Sequence, residues 1–167
     1  MRDWGTLRVR RWKHRLYRYA TFVALCLSAA VIYLGSRPPD EWAAIVVGAI
    51  ALAYSFQSQR RDDTRLFKEL FTEFNSRYDK LNDNLNRISD HPVGELSIED
   101  RLILFDYFNL CGEEYMFNEL GYIESSAWES WLAGMKGYYA ADVIRREWDR
   151  ELMTGSYYGM QAEMLRS

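Results

Sequence analysis

Acidic side chains are the first residues in this sequence whose types and spacing suggest chemistry. Glu113 and Glu114 are adjacent, and Asp106 and Glu119 lie within seven residues of them. Paired carboxylates can act as general acid and base, but a working pair is usually accompanied by a nucleophile or a histidine. No histidine, cysteine or serine motif accompanies these four. We therefore interpret them as the solvated face of a helix, and we do not expect an enzyme.

The cysteines and histidines do not follow a cofactor pattern. Cys26 and Cys111 are the only cysteines, and His14 and His91 are the only histidines. Neither pair has the spacing of metal ligands, and two isolated cysteines fit a reducing compartment. The sequence also contains no P-loop, GxGxxG or HExxH segment. We expect no cofactor and no metal.

A second set of residues combines guanidinium groups with aromatic rings. Arg145 and Arg146 stand near Trp148 and follow Tyr138 and Tyr139. Such groups together can bind phosphates and stack on nucleobases. The alternative is a solvent-exposed dibasic pair beside a core tryptophan. The candidates for a ligand-binding site are Arg77, Arg101, Tyr138, Tyr139, Arg145, Arg146 and Trp148.

Charge is distributed unevenly along the chain. The first 57 residues carry 8 Lys and Arg against 3 Asp and Glu, whereas residues 58–167 carry 13 against 21. The basic part suits anionic lipid headgroups. The acidic part disfavours nonspecific binding to DNA or long RNA, although a local basic pocket for a small anionic nucleotide remains compatible with it.

Two uncharged segments predict a transmembrane hairpin. Residues 20–35 and 42–59 contain sixteen and eighteen residues without a formal charge. As helices they measure ~24 and ~27 Å, close to the ~30 Å hydrocarbon core of a bilayer. The intervening SRPPDE segment has two prolines and is short enough to be a tight turn. A cleaved signal peptide and a pair of soluble core helices are the alternatives.

Basic residues orient the predicted hairpin. Seven Lys and Arg precede the first span, one lies in the turn and four closely follow the second span. The positive-inside rule then places both termini in the cytoplasm of an inner-membrane protein. We expect a basic N-terminus (1–18), a hairpin (19–59) with spans at about 19–35 and 42–57, and a helical cytoplasmic domain (60–167).

The strongest helical periodicity begins at Phe67 and follows alternating steps of four and three residues. This spacing indicates one face of a stalk helix that ends at about residue 89 and that can continue from the second span. The apolar seam packs either between subunits, as an oligomerisation surface, or onto the rest of the domain. It consists of Phe67, Phe71, Phe74, Tyr78, Leu81, Leu85 and Ile88.

Capping residues at both ends predict the helix that follows the stalk. Ser97 and Asp100 form a capping-box-like start, and Gly121 is a suitable C-terminal cap after Leu120. The residues expected to face inward are Leu102, Phe105, Phe108 or Asn109, Tyr115 or Met116, and Leu120.

Three shorter elements complete the predicted domain. A capping box at residues 126–129 opens a helix that ends around residues 134–137, and another helix covers residues 138–152. A last amphipathic piece follows. Because no segment alternates like a strand, the domain is expected to be all-α, with four or five helices.

Two segments resemble a known family. FTEFNSRYDKLND (71–83) and FDYFNLCGEEYMFNELGYIESSAWESWLAGM (105–135) are similar to a family of small, functionally uncharacterised bacterial helical proteins. In that family an FN-x-RY-x-x-LN element precedes a helix that ends in a GYI turn and then a paired-tryptophan helix. The resemblance covers nearly half of the soluble domain and implies no catalytic residues.

The layout of the chain is similar to a second group. Two N-terminal spans before a small helical domain resemble the membrane effector of some type III CRISPR systems, which binds cyclic tetra-adenylate as a tetramer and perturbs the membrane. The similarity implies a homo-oligomeric effector in antiviral defence that is gated by a cyclic oligonucleotide. A noncatalytic adapter that recruits a protein partner to the membrane is the alternative.

Overall fold

The structure is a computed structural model that describes residues 22, 24–29, 35, 39–90 and 96–166. Every regular element in this part of the chain is a helix, which confirms the all-α class. The principal helices are α1 (Pro39–Ser89), α2 (Ile98–Glu119), α3 (Ser125–Tyr139) and α4 (Asp142–Leu152), followed by a 3₁₀ helix (Ala162–Met164).

Several sequence predictions concern residues outside these ranges. They include the basic N-terminus, most of the first predicted span, the tip of the proline turn and both histidines. Within the described ranges, no helix combines the length and the apolar character needed to cross a bilayer.

The chain divides into two compact units, Met1–Leu66 and Phe67–Ser167. In the first unit, large apolar side chains of α1 are exposed. Val47, Ile50 and Leu52 are 65%, 63% and 57% exposed, respectively. In the second unit, apolar side chains from α1, α2, α3 and α4 form a buried core.

Trp148 of α4 occupies the interior of this core and is fully buried. Its ring stacks on Phe108, with ring centroids 4.8 Å apart, and it meets Tyr107 and Tyr139 edge-on at 5.4 and 6.0 Å. Aromatic contacts of this kind add to the apolar area that the residues bury. The C-terminal segment contributes Tyr157, Met160 and Leu165 to the same core.

The Phe67 seam lies on α1, and its members pack against residues of the same chain. Phe74, Leu85 and Ile88 are buried. Phe71 stacks on Trp131 of α3, with ring centroids 5.7 Å apart. These four residues therefore pack α1 against the rest of its own unit, whereas packing of the seam between subunits stays a prediction.

The ends of α2 follow the sequence prediction. Ser97 is the N-cap, and its hydroxyl accepts a hydrogen bond of 3.0 Å from the backbone N–H of Asp100. Gly121 follows the C-cap with a φ of 83°, a conformation that favours glycine. The prediction that Leu102 and Leu120 face inward was wrong, because both are exposed.

The predicted ends of α3 were also wrong. The helix begins at Ser125 without a side-chain cap, and it continues through Gly134 and Gly137 to Tyr139. A glycine in a helix costs about 1 kcal/mol relative to alanine. Burial of Met135 and Tyr139, which both lie on this helix, offsets that cost.

Candidate functional site

Three helices of the C-terminal unit enclose a cleft of about 150 Å³. Helix α1 provides one wall, α2 the floor and α3 the other wall. The floor carries the only formally charged side chain among the lining residues, Glu114. The cleft is lined by Asn75, Tyr78, Tyr107, Leu110, Cys111, Glu114, Ser130, Trp131, Gly134 and Met135.

Glu114 lies at the floor because it belongs to the buried face of α2. Tyr107, Cys111, Glu114 and Asn118 follow one another at steps of four, three and four residues, and all four are buried. Glu114 is only 5% exposed. The interpretation of Glu114 as part of a solvated face was therefore wrong, and the period of α2 that begins at Tyr107 is the signal that would have identified it.

The surroundings of Glu114 favour its neutral form. Burial raises the pKa of its carboxyl to about 8, the charge of Arg77 opposes this shift, and the charge of Glu113 adds to it. At neutral pH the carboxyl is therefore mostly protonated. No residue in the described part of the chain forms a hydrogen bond with it.

Arg77 does not neutralise Glu114, because it is paired with the adjacent Glu113. Its two terminal nitrogens lie 2.5 and 3.2 Å from the two carboxylate oxygens of Glu113. This bidentate geometry is the strongest arrangement for such a pair. The two neighbouring glutamates thus differ completely: Glu113 forms an ion pair that is about one-third exposed, and Glu114 is a buried acid in the cleft.

The α3 wall is held in place by aromatic contacts with α1. Trp131 stacks on Phe71, with an interplanar angle of 19°, and meets Phe74 edge-on at 5.8 Å. Phe74 is itself buried against Phe117, with ring centroids 5.8 Å apart. The position of Trp131 in the cleft therefore depends on how closely α1 and α3 approach each other.

A polar network holds Tyr78 on the α1 wall. Its hydroxyl donates to the side-chain oxygen of Asn82 at 3.1 Å and lies 3.3 Å from the hydroxyl of Tyr138. The Tyr138 hydroxyl also lies 2.8 Å from Asn82 and 3.0 Å from Asn86. Burial, together with the Tyr78 hydrogen bond, raises the pKa of Tyr138. Both tyrosines serve as hydrogen-bonding groups, and Tyr138 does so in its neutral form.

None of the seven ligand-binding candidates from the sequence lines this cleft. Arg77 is paired with Glu113, and the hydroxyl of Tyr138 contacts that of Tyr78 without lining the cleft. Tyr139 donates to Asp149 at 2.6 Å and accepts from Arg166 at 3.4 Å. These contacts are structural, since each joins two parts of the folded unit.

The other four candidates also lie apart from the cleft. Arg145 is paired with Asp142 on the same helix, and Trp148 is in the core. Arg146 is exposed on α4, while Arg101 lies on α2. The Nε atom of Arg101 is buried without a hydrogen-bond partner among the described residues.

Cys111 lies beside Glu114 in the lining of the cleft. Burial raises the pKa of the Cys111 thiol well above its usual value, so the reactive thiolate is disfavoured. The described residues contain no group of three or more potential metal ligands. Comparison with protein-family models, curated proteins and solved structures finds no significant match.

Proposed function

We propose that this chain is a membrane-anchored, noncatalytic sensor whose C-terminal unit binds a small ligand in the Glu114 cleft. The observation that carries the proposal is the buried Glu114 carboxyl, which opens into a cleft and has no hydrogen-bond partner in the described part of the chain. The fully buried side-chain atoms without a partner in the described part of the chain belong to Arg101 and Trp148, so the Glu114 carboxyl remains open to the cleft. A ligand in the cleft can therefore form hydrogen bonds with it.

The groups in the cleft support a binding role. The buried Cys111 thiol is protonated and no histidine lines the walls, so the lining offers no pair of a nucleophile and a histidine base. Asn75 and Ser130 instead offer neutral hydrogen-bonding groups. These groups can orient a ligand without reacting with it.

Exposed apolar side chains support a membrane anchor. Val47, Ile50 and Leu52 lie in the second predicted span, and more than half of each side chain is exposed. Several large apolar side chains exposed along one helix favour contact with lipid or protein. With the basic N-terminus and the proline turn, this surface favours a two-span hairpin with both termini in the cytoplasm.

The proposed signal passes through α1. This helix covers residues 39–89 and contributes Asn75 and Tyr78 to the cleft. A ligand that fits between α1 and α3 favours one packing of these helices over another, which is the requirement for a population shift. We propose that the output is perturbation of the inner membrane by a homo-oligomer, as part of antiviral defence.

A cyclic oligonucleotide remains a predicted signal, but it requires a second binding surface. The cleft lining contains no basic residue, and its volume matches a cavity that holds one benzene molecule. A multiply charged nucleotide therefore has to bind elsewhere. Arg101 and Arg146, for which no ion pair is found among the described residues, are the guanidinium groups best suited to it.

Ligand binding can be tested on the full chain in detergent by thermal shift with a library of small polar and charged molecules. The informative variant is Gly134→Leu, since Gly134 lines the cleft and a Cβ there meets no atom within 4 Å. Gly137→Leu is the matched control, because it lies on the same helix outside the lining and is equally unobstructed. Compounds should stabilise the unmodified chain and the control but not Gly134→Leu. Equal stabilisation of all three, or of none, would overturn the proposal.

Membrane anchoring and the alternative roles need separate measurements. The chain should remain in the membrane pellet after alkaline carbonate extraction, and release into the supernatant would contradict the hairpin. Cyclic tetra-adenylate should stabilise the chain and trigger dye release from liposomes that contain it, if the nucleotide prediction is right. A stoichiometric protein partner in native membranes, without a homo-oligomer, would instead favour the adapter.

A further inference from the structure

We propose that the ligand of the Glu114 cleft is a small organic cation, a primary or secondary amine with a compact apolar body, whose ammonium group pairs with the Glu114 carboxylate. This inference rests on the proposed function and names the chemical class of its ligand. It follows from the charge, the size and the lining of the cleft.

The charge of the cleft favours a cation. Glu114 is the only lining residue that can carry a full charge near neutral pH, and the lining contains no Lys, Arg or His. The nearby guanidinium of Arg77 is bound to both carboxylate oxygens of Glu113. An anionic ligand would therefore meet a carboxyl without a compensating cation, whereas an ammonium supplies the hydrogen-bond donors that Glu114 lacks.

The size and lining of the cleft describe the rest of the ligand. A cavity of about 150 Å³ accommodates a body similar in size to benzene. Leu110, Trp131 and Met135 provide apolar contact surface, and an indole ring can also attract a cation. Asn75 and Ser130 provide oxygen atoms that can accept further ammonium hydrogens.

Binding of such a cation must be coupled to release of a proton. Because the free carboxyl of Glu114 is protonated at neutral pH, it loses its proton to bulk water when the ammonium pairs with it. The other charged or titratable groups that face it are Arg77 and Tyr78 from α1 and Tyr107, Cys111 and Glu113 from α2. Helix α3 adds no charged or titratable side chain to the lining. We therefore assign the released proton to Glu114.

The test uses isothermal titration of the full chain in detergent with benzylamine, cyclohexylmethylamine and isopentylamine. Each amine is compared with its neutral counterpart, namely benzyl alcohol, cyclohexylmethanol and isopentanol. At least one amine should bind with a dissociation constant of about 0.1 to 1 mM, a range typical of ligands with few atoms. Its alcohol should bind at least about tenfold more weakly. Titration at pH 7 in buffers of different ionisation enthalpy should show release of close to one proton.

Two variants test whether Glu114, and not another carboxylate of α2, binds the amine. Glu114→Gln should weaken amine binding by about tenfold or more and abolish proton release. Glu119→Gln, on the exposed part of the same helix, should change neither. If Glu114→Gln fails to fold, Glu114→Asp provides a second variant. It should retain proton release, but it should bind the amine more weakly because the aspartate side chain is one methylene shorter.

The results distinguish this inference from the function on which it rests. Binding of an alcohol as tightly as its amine, or binding of none of the three amines, overturns the cation assignment. The proposed ligand site itself fails only if the library finds no compound that distinguishes Gly134→Leu from Gly137→Leu.

Discussion

Arg77 binds Glu113 through both carboxylate oxygens, at 2.5 and 3.2 Å, and thereby leaves the next residue along α2 as an uncompensated acid. The pair joins α1 to α2 and is about one-third exposed on each side. Its main consequence lies in the cleft rather than in the stability of the pair, because it directs the hydrogen bonds of the Arg77 guanidinium to Glu113 and not to Glu114.

The stability of the unit should depend on pH through Glu114. The pKa of its carboxyl is about 8 in the folded chain and has its ordinary value near 4.5 in the unfolded chain. Between these values only the folded state holds the proton, so stability falls as pH rises, by at most about 1.4 kcal/mol per pH unit. Glu114→Gln should remove this slope. Melting temperatures measured from pH 5 to 9 test this, with Glu119→Gln as the control that keeps the slope.

Removal of the Arg77 guanidinium should shift the pH at which Glu114 titrates. Arg77 lowers the pKa of Glu114, so Arg77→Gln should move the inflection of the stability profile to higher pH. Arg87→Gln is the matched control, since Arg87 also joins α1 to α2, through a 2.5 Å contact with Asp100. An identical inflection in both variants would contradict the assignment of the slope to Glu114.

Gly112 should be intolerant of a side chain. A Cβ at this position would lie 3.1 Å from Cδ1 of Tyr157, whose own ring is held in the core. Gly112→Ala should therefore destabilise the unit by about 1 to 3 kcal/mol, despite the better helix propensity of alanine. Gly137→Ala has nothing within 4 Å of its Cβ and should stabilise α3 by roughly 0.5 to 1 kcal/mol. Denaturant titrations of the two variants should thus move in opposite directions.

Trp148 should act as a core residue. Trp148→Ala is expected to cost about 3 to 5 kcal/mol, because it leaves a large cavity against Phe108 and Tyr107. Trp148→Phe should cost much less, since it keeps an aromatic ring and removes an indole N–H that has no partner in the described structure. Unfolding curves of the two variants would test whether Trp148→Ala is destabilised more than Trp148→Phe. A stable Trp148→Ala variant that had lost only ligand binding would restore Trp148 as a binding residue.

The sequence predicted the parts of the fold that local chemistry determines. The all-α class, the Ser97 cap and the glycine that follows the C-terminus of α2, Gly121, are all present in the structure. Each depends on residues within one or two helical turns. Leu102 and Leu120 were misplaced because α2 has apolar residues on more than one face, so its period alone does not select the buried one.

The candidate site depended on information that local patterns lack. Arginine and aromatic residues near one another in sequence were grouped as a binding set, but Arg145 pairs with Asp142 and Trp148 turns inward. Glu114 was read as solvated because most helix carboxylates are. Its burial follows from the packing of α1 and α3 over the face of α2 that begins at Tyr107. The spacing along α2 indicates this face, but only the packed helices distinguish it from the other apolar faces of α2.

The C-terminal segment has a consequence for biogenesis. Tyr157, Met160 and Leu165 fill the same core as Leu104 and Trp148, so the core remains open until the last of them has left the ribosome. The proposed membrane spans, which are made more than a hundred residues earlier, would then be inserted before the sensing unit can close. Synthesis itself would thus separate anchoring from the acquisition of a functional ligand site, and an incomplete chain would reach the membrane without the ability to respond.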